Sequence, residues 1–323
     1  MACQPEKIDM PDTGRKIVIN GLITTDSLLN VFINKSGGID VWGSVFRSDF
    51  KNANVYIYQN NICIDSLYHL YPLLHHIGND SLFHYSDTLL SNQYVYSTGN
   101  YLSKHVIPLA GNEYKIVTKA PGLPDATAST KIPNIVKIEN IDTSWSIATI
   151  GNSSYGLMTC HIDFTDPANE TNYYLFNICK FPNFYVNYFY CLFLCDDPIV
   201  EEKLIENPYD LGEEGIVFSD RLINGKKYSL TVSYPDDRSE LGWTYPGIKY
   251  KEFKEVVYFR LYSISEEYFK YIQTLNLYYA KIGNPIAEPV QVHSNIIGGY
   301  GILGGAAVSC DSLVVMRKQI IYQ

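Results

Sequence analysis

Ser154-Tyr-Gly-Leu-Met-Thr-Cys-His-Ile-Asp-Phe-Thr-Asp-Pro-Ala-Asn-Glu-Thr-Asn-Tyr-Tyr-Leu-Phe-Asn-Ile-Cys-Lys180 is the stretch that decides the fold class. Residues 154–164 alternate apolar and polar side chains, the period of a strand with one face buried. Residues 165–172 are polar and carry Asp166-Pro167, a turn initiator, and 173–180 return as a second aromatic and β-branched run. The segment therefore reads as a hairpin-like pair of strands around a polar turn.

The same grammar extends in both directions. Towards the N terminus, strand-like runs fall at 16–23, 29–34, 54–59, 94–97, 114–119 and 126–131. Ser36-Gly-Gly38, Ala110-Gly-Asn112 and Pro121-Gly122 supply turns between them. Towards the C terminus, further runs fall at 188–194, 215–218, 227–234 and 255–263, with long polar loops at 195–215 and 235–254. Residues 266–283 break the pattern. Tyr268, Tyr271, Ile272, Leu275, Tyr278, Tyr279 and Ile282 recur at gaps of three and four, the mark of an amphipathic helix. Ser265 is placed to cap it, Glu266 and Glu267 suit its first turn, and Gly283-Asn-Pro285 ends it. The expected architecture is mainly β: a tether over 1–15, an N-terminal β-sandwich over 16–133, and a C-terminal β-sandwich over 134–323 with a helix near 266–283. Both sandwiches are expected to be immunoglobulin- or fibronectin-like, with the helix plugging an open end or side.

Composition narrows the function. The 323 residues are 46% hydrophobic and 18% charged, ample for a sizeable core. Tyrosine, at 28 residues, is about twice the usual share and suits half-buried strands and contact surfaces. The net charge of -9 comes without a basic stripe, which argues against a nucleic-acid partner. No run approaches the roughly 20 apolar residues of a membrane-spanning helix. Membrane attachment must then come from outside the fold, and Cys3, alone in a leader with two prolines and four charges, is the candidate lipid anchor.

Six further cysteines stand at 63, 160, 179, 191, 195 and 310, mostly in apolar runs where a small thiol packs well. Cys191 and Cys195 have no second Cys/His pair to complete a zinc site, and neither metal nor cofactor is expected. Gly299-Tyr-Gly301-Ile-Leu-Gly304 matches a dinucleotide fingerprint, yet no helix and no acid follow it, so close backbone packing is the better reading. His69, His75, His76 and His84 lie near Asp80 and Asp87, a contact surface before a metal site. Asp196-Asp197-Pro and Asp210-Leu-Gly-Glu-Glu-Gly lack the calcium-loop register. Asp236 and Asp237 adjoin each other and do not give opposed acid and base. With Trp243 and Tyr245 they make an aromatic, acidic loop, the candidate contact for a ligand or partner.

One resemblance covers nearly the whole chain. It rests on Cys3-x-x-Pro, Ile17-Val-Ile-Asn-Gly-Leu-Ile23, Asn52-Ala-Asn-Val-Tyr-Ile57 and Leu109-Ala-Gly-Asn-Glu-Tyr-Lys-Ile-Val117. It continues through Asp163-Phe-Thr-Asp-Pro167, Asn172-Tyr-Tyr174 and Ser263-Ile-Ser-Glu-Glu-Tyr-Phe-Lys-Tyr-Ile272. Ser294-Asn-Ile-Ile-Gly-Gly-Tyr-Gly-Ile-Leu-Gly-Gly305 completes it. In this order the pieces resemble the domain-of-unknown-function 4249 family, outer-membrane lipoproteins of Bacteroidota. The resemblance implies a lipidated Cys3, a cell-surface location and a TonB-dependent transporter as partner in nutrient uptake. It supplies no catalytic residues to carry over. Members bear a signal peptide, which this chain lacks, so Cys3 would be lipidated in a longer precursor. Asp-Ser/Thr-Leu at Asp26, Asp65, Asp80, Asp87 and Asp311 looks like the O-glycosylation signal of the same phylum. The expected function is a non-enzymatic transporter partner. The alternatives are an adhesin or pilus-like structural protein, and a hydrolase whose site is assembled from distant residues.

Overall fold

The computed structural model describes residues 14–36, 50–69, 100–150, 153–168, 170–181, 193–204, 215–236, 249–281 and 288–321. Cys3, His75, His76, His84, Asp210, Asp237, Trp243 and Tyr245, with the strand expected at 94–97, lie outside them.

In chain order the strands are β1 (Ile17–Thr24), β2 (Asn30–Lys35), β3 (Asn54–Gln59), β4 (Ile62–His69), β5 (Tyr101–Leu102), β6 (Glu113–Lys119), β7 (Ala126–Lys131) and β8 (Ile138–Ile150). They continue with β9 (Ser153–Thr165), β10 (Tyr173–Phe181), β11 (Glu202–Leu204), β12 (Gly215–Ser219), β13 (Lys227–Pro235) and β14 (Lys249–Ile264). The helix α1 (Glu266–Lys281), β15 (Ile296–Ile297) and β16 (Tyr300–Ile321) complete the chain. The fold is mainly β with a helix near the C terminus. Alternation forms these strands: Tyr114, Ile116 and Thr118 of β6 are buried, while Glu113 and Lys119 at its ends are exposed.

The hairpin expected over 154–180 does not form. β9 joins a three-stranded sheet of order β13-β9-β8, whereas β10 sits between β12 and β14 in a 13-stranded sheet. Residues 166–172 are therefore a crossover from one sheet to the other. Its cause is visible in the side chains. Phe164 at the end of β9 and Tyr174 and Phe176 on β10 point into one core between the sheets, with ring centroids of Phe164 and Tyr174 5.7 Å apart. A hairpin would set these aromatics side by side on a single surface. Facing sheets bury them against each other.

Two hydrophobic cores lie along the large sheet, which runs through both. One core comprises residues from Val136 onward, the other gathers Ile17 to Ile132 with Ile296, Leu303 and Ala307 from the C-terminal end. β1 pairs in parallel with β16, Val18 opposite Tyr300 through Thr24 opposite Ala306. The first strand is thus locked to the last.

The glycine-rich signature has a structural role in that lock. Gly301 adopts φ +106°, and a Cβ there would lie 2.1 Å from the Ile19 carbonyl oxygen. Only glycine lets the two backbones approach so closely. Asn295 ties the same corner: its amide donates to Leu303 O at 2.9 Å and Ser129 O at 3.1 Å, and its Oδ1 accepts from Leu303 N at 2.9 Å. Close backbone packing, rather than a nucleotide loop, accounts for the motif.

The helix lies on the outer face of the large sheet. Phe269 and Ile272 pack there against Leu175, Val217, Tyr262, Ile264 and Ala306. The buried stripe includes Phe269, which the periodicity passed over, and leaves Tyr278 and Tyr279 exposed. The Ser265 backbone carbonyl accepts from Phe269 N at 3.1 Å to start the helix, and its hydroxyl accepts from Gly305 N at 3.1 Å. Among the described residues, no helix is long and apolar enough to cross a membrane.

Candidate functional site

A cleft of about 520 Å³ opens where three parts of the chain meet. β6, β7 and the segment after them bring Glu113, Lys131 and Asn134, the inter-sheet crossover brings Glu170, Thr171 and Asn172, and the start of α1 brings Glu266 and Glu267. Tyr173 forms a wall, its ring 4.6 Å from that of Phe269. Burial and the neighbouring Glu266 carboxylate push the Tyr173 hydroxyl above its ordinary pKa, so it stays a neutral donor.

Each wall is held by its own contacts. Glu266 accepts from Lys270 one turn along the helix, at 2.8 Å. Glu267 pairs with His293, whose backbone N–H donates to Thr274 Oγ1 at 2.8 Å, so residues 288–295 are strapped to the helix. Glu113 donates its backbone N–H to Asn60 Oδ1 at 3.2 Å.

The crossover wall is the most firmly held. Asp220, buried behind it, accepts at Oδ2 from Asn172 N at 2.8 Å, and from the amides of Asn172 at 3.4 Å and Asn224 at 3.1 Å. The Asp220 N–H donates back to Asn172 O at 2.9 Å. Asp166, 1% exposed, accepts from the Tyr174 hydroxyl at 2.5 Å and from Gly225 N at 2.9 Å. Burial pushes the Asp166 carboxyl above its ordinary value, against the hydrogen bonds that lower it. The Asp-Pro read as a turn signal is thus the inner fastening of the cleft wall.

Chemically, the cleft offers carboxylates, amides, hydroxyls and one aromatic face. Among the described residues, no group of three or more His, Cys, Asp or Glu side chains converges to hold a metal ion. Its carboxylates, Glu113, Glu170, Glu266 and Glu267, come from three parts of the chain and share the cleft with Lys131.

The residues singled out from sequence lie elsewhere. Asp236 is 1% exposed at the end of β13, where its N–H donates to Gly156 O at 2.9 Å and its carbonyl accepts from Trp145 Nε1 at 3.1 Å. Its loop companions Asp237, Trp243 and Tyr245 are outside the described residues. Asp197, weighed as a calcium ligand, instead accepts from the Tyr228 hydroxyl at 2.5 Å, Ile199 N at 3.2 Å and Thr231 N at 3.3 Å. His69 packs edge-on against Tyr101, 5.2 Å between centroids. The described cysteines are free thiols, with Cys160, Cys179 and Cys195 buried as expected but Cys63 and Cys310 exposed. Glu113, Lys131, Glu170 and Tyr173 were missed because they belong to separate elements, and no local motif joins them.

A continuous β-sheet that locks first strand to last, with a C-terminal helix on its outer face, is the class of protein this is. The chain matches the family described as Domain of unknown function (DUF4249) over residues 4–311, and it belongs to that family. Among curated proteins, none matches it.

Proposed function

We propose that the protein is a cell-surface lipoprotein of the outer membrane, anchored through Cys3, that serves without catalysis as the partner of a TonB-dependent transporter in nutrient binding or uptake. The observation that carries the binding half of this reading is the polar cleft between Glu113, Glu170 and Glu267. It is large enough for a small polar nutrient, and its walls are held by contacts of their own. The anchoring half rests on Cys3 ahead of a polar leader, and lipid there would leave the whole fold in water. Of the expected contact residues, Asp236 is buried at the end of β13 and drops out of the transporter-facing surface, which is proposed for Asp237, Trp243 and Tyr245 alone.

The test is purification of the full-length, C-terminally tagged protein from its native outer membrane, with mass spectrometry of co-purifying proteins and of Cys3. A stoichiometric TonB-dependent barrel and an acylated Cys3 are the expected result. An acylated protein that emerges with copies of itself alone would replace this reading with an adhesin or structural role. That second reading is favoured by one observation, the exposed run 142–147 on β8, a strand that among the described residues pairs on one side only.

A further inference from the structure

The cleft carries more acid than the chain around it neutralises. Glu113, Glu170, Glu266 and Glu267 line it against one lysine, Lys131. Glu266 and Glu267 have partners of their own in Lys270 and His293. Glu113 and Glu170 are exposed and form no ion pair with any described residue, although Lys131 stands opposite Glu113 in the β6–β7 register. Carboxylates that share a cavity add their fields, and low-dielectric walls focus the sum on whatever enters.

Two further features bear on the same solute. Tyr173 contributes half-buried aromatic surface as a wall, and an ammonium group is attracted to the face of such a ring. Thr130 belongs to the cleft lining and is 4% exposed, and its hydroxyl, closed off from water, has no hydrogen-bond partner among the described residues. Buried hydroxyls are normally paired, so an unmet one beside a cavity marks a place for a polar group from outside the chain.

We propose that the ligand of this cleft is a linear polyamine, whose ammonium groups meet Glu113 and Glu170, pass the Tyr173 ring and donate to the Thr130 hydroxyl. Charge selects this class. An anion would be repelled by the four carboxylates, and a neutral sugar would leave Glu113 and Glu170 uncompensated. Among the described residues no three His, Cys, Asp or Glu side chains gather to hold a metal ion, so the fitting cation is organic. A flexible chain of methylenes and ammonium groups can set each charge beside an acid, within a volume of about 520 Å³. This names the ligand class for the cleft of the proposed function and rests on that reading.

Isothermal titration of the full chain with spermidine, maltose, citrate and calcium, each alone, reads the preference directly. Spermidine alone is expected to bind, at one per chain and more weakly as salt rises. E113Q/E170Q should weaken it about tenfold or more, and T130V severalfold, both at an unchanged urea midpoint. D125N/D142N, which removes the same charge from exposed acids outside the lining, should leave it as in the wild type. Absence of spermidine binding overturns the proposal. So does binding indifferent to E113Q/E170Q or to T130V, binding weakened equally by D125N/D142N, or calcium bound more tightly than spermidine. Maltose or citrate bound in place of spermidine keeps the cleft as a nutrient site and overturns this inference alone. Co-purification of a barrel answers the transporter reading separately, so the two can fail apart.

Discussion

β9 has two ends that the fold treats in opposite ways. At its C-terminal end the chain leaves through a crossover held by two buried carboxylates, Asp166 and Asp220, which accept from backbone, amide and hydroxyl donors. At its N-terminal end β9 and β8 run out as an arm whose residues 142–147 are exposed. Polar groups do the holding at the first end because a chain changing sheets leaves backbone donors that no ladder can satisfy. The second end needs no such device, since the ladder between β8 and β9 continues to Ile150 opposite Ser153. The lesson is that buried carboxylates here are architectural, and exposure marks the surface free to meet something else.

The largest effect should come from breaking the fastened end. Asp220→Ala strips the acceptor from Asn172 N, Asn172 Nδ2 and Asn224 Nδ2 and leaves buried donors unsatisfied. A loss of about 3 kcal/mol in urea-unfolding free energy is expected. A loss as small as that of an ordinary surface substitution would remove Asp220 from its role. Next comes Gly156, where the arm leaves the body. A Cβ at Gly156 would lie 2.2 Å from the Asp236 backbone oxygen, so Gly156→Ala must push β13 and β9 apart. The expected cost is about 2 kcal/mol, with Trp145 fluorescence shifting as its hydrogen bond to Asp236 O is lost.

How far the sequence disclosed this contrast depends on the kind of signal. Alternation in β6 and in 154–164 announced strands because side-chain period is local. The partner of each strand was not legible. Nothing within 165–172 distinguishes a hairpin turn from a crossover, since Asp-Pro serves both and the choice belongs to the aromatics Phe164, Tyr174 and Phe218 meeting across sheets. The helix was legible in position, but its buried stripe turned towards Phe269 once the sheet beneath it was fixed. Ser294-Asn295 and the glycines after it were recognisable as a pattern, while their work, joining β7, β1 and β16, required the parallel pairing of distant ends. The cleft was illegible for the same reason, being assembled from three separate segments.

A smaller effect separates two acids three residues apart. Asp166 is raised above the ordinary 3.8 by burial, so between that value and its folded pKa the native state holds more protons than the unfolded chain. Stability contributed there falls as pH rises through the window. Asp163 is lowered below 3.8, chiefly by its hydrogen bond from Ser229 and then by Lys227, so its contribution is present above 3.8 and is lost as pH falls through its folded value. Urea denaturation across pH should show Asp166→Asn flattening the slope above 3.8 and Asp163→Asn flattening it below. Asn at 166 keeps an acceptor for Gly225 N–H and can donate to the Tyr174 oxygen, so the fold is expected to survive. Identical slopes in wild type and Asp166→Asn would show that burial does not perturb this carboxyl.

The smallest effect is expected at the open end, and there a near-zero result is the informative one. Ile147 is 65% exposed on β8 and opposes Gly156, which offers it no side chain to pack against. Ile147→Ser removes apolar surface that stays in water, so unfolding free energy should move by no more than about 0.5 kcal/mol. A loss of several times that size would mean that Ile147 is buried by its own fold, and the contrast between the two ends of β9 would collapse.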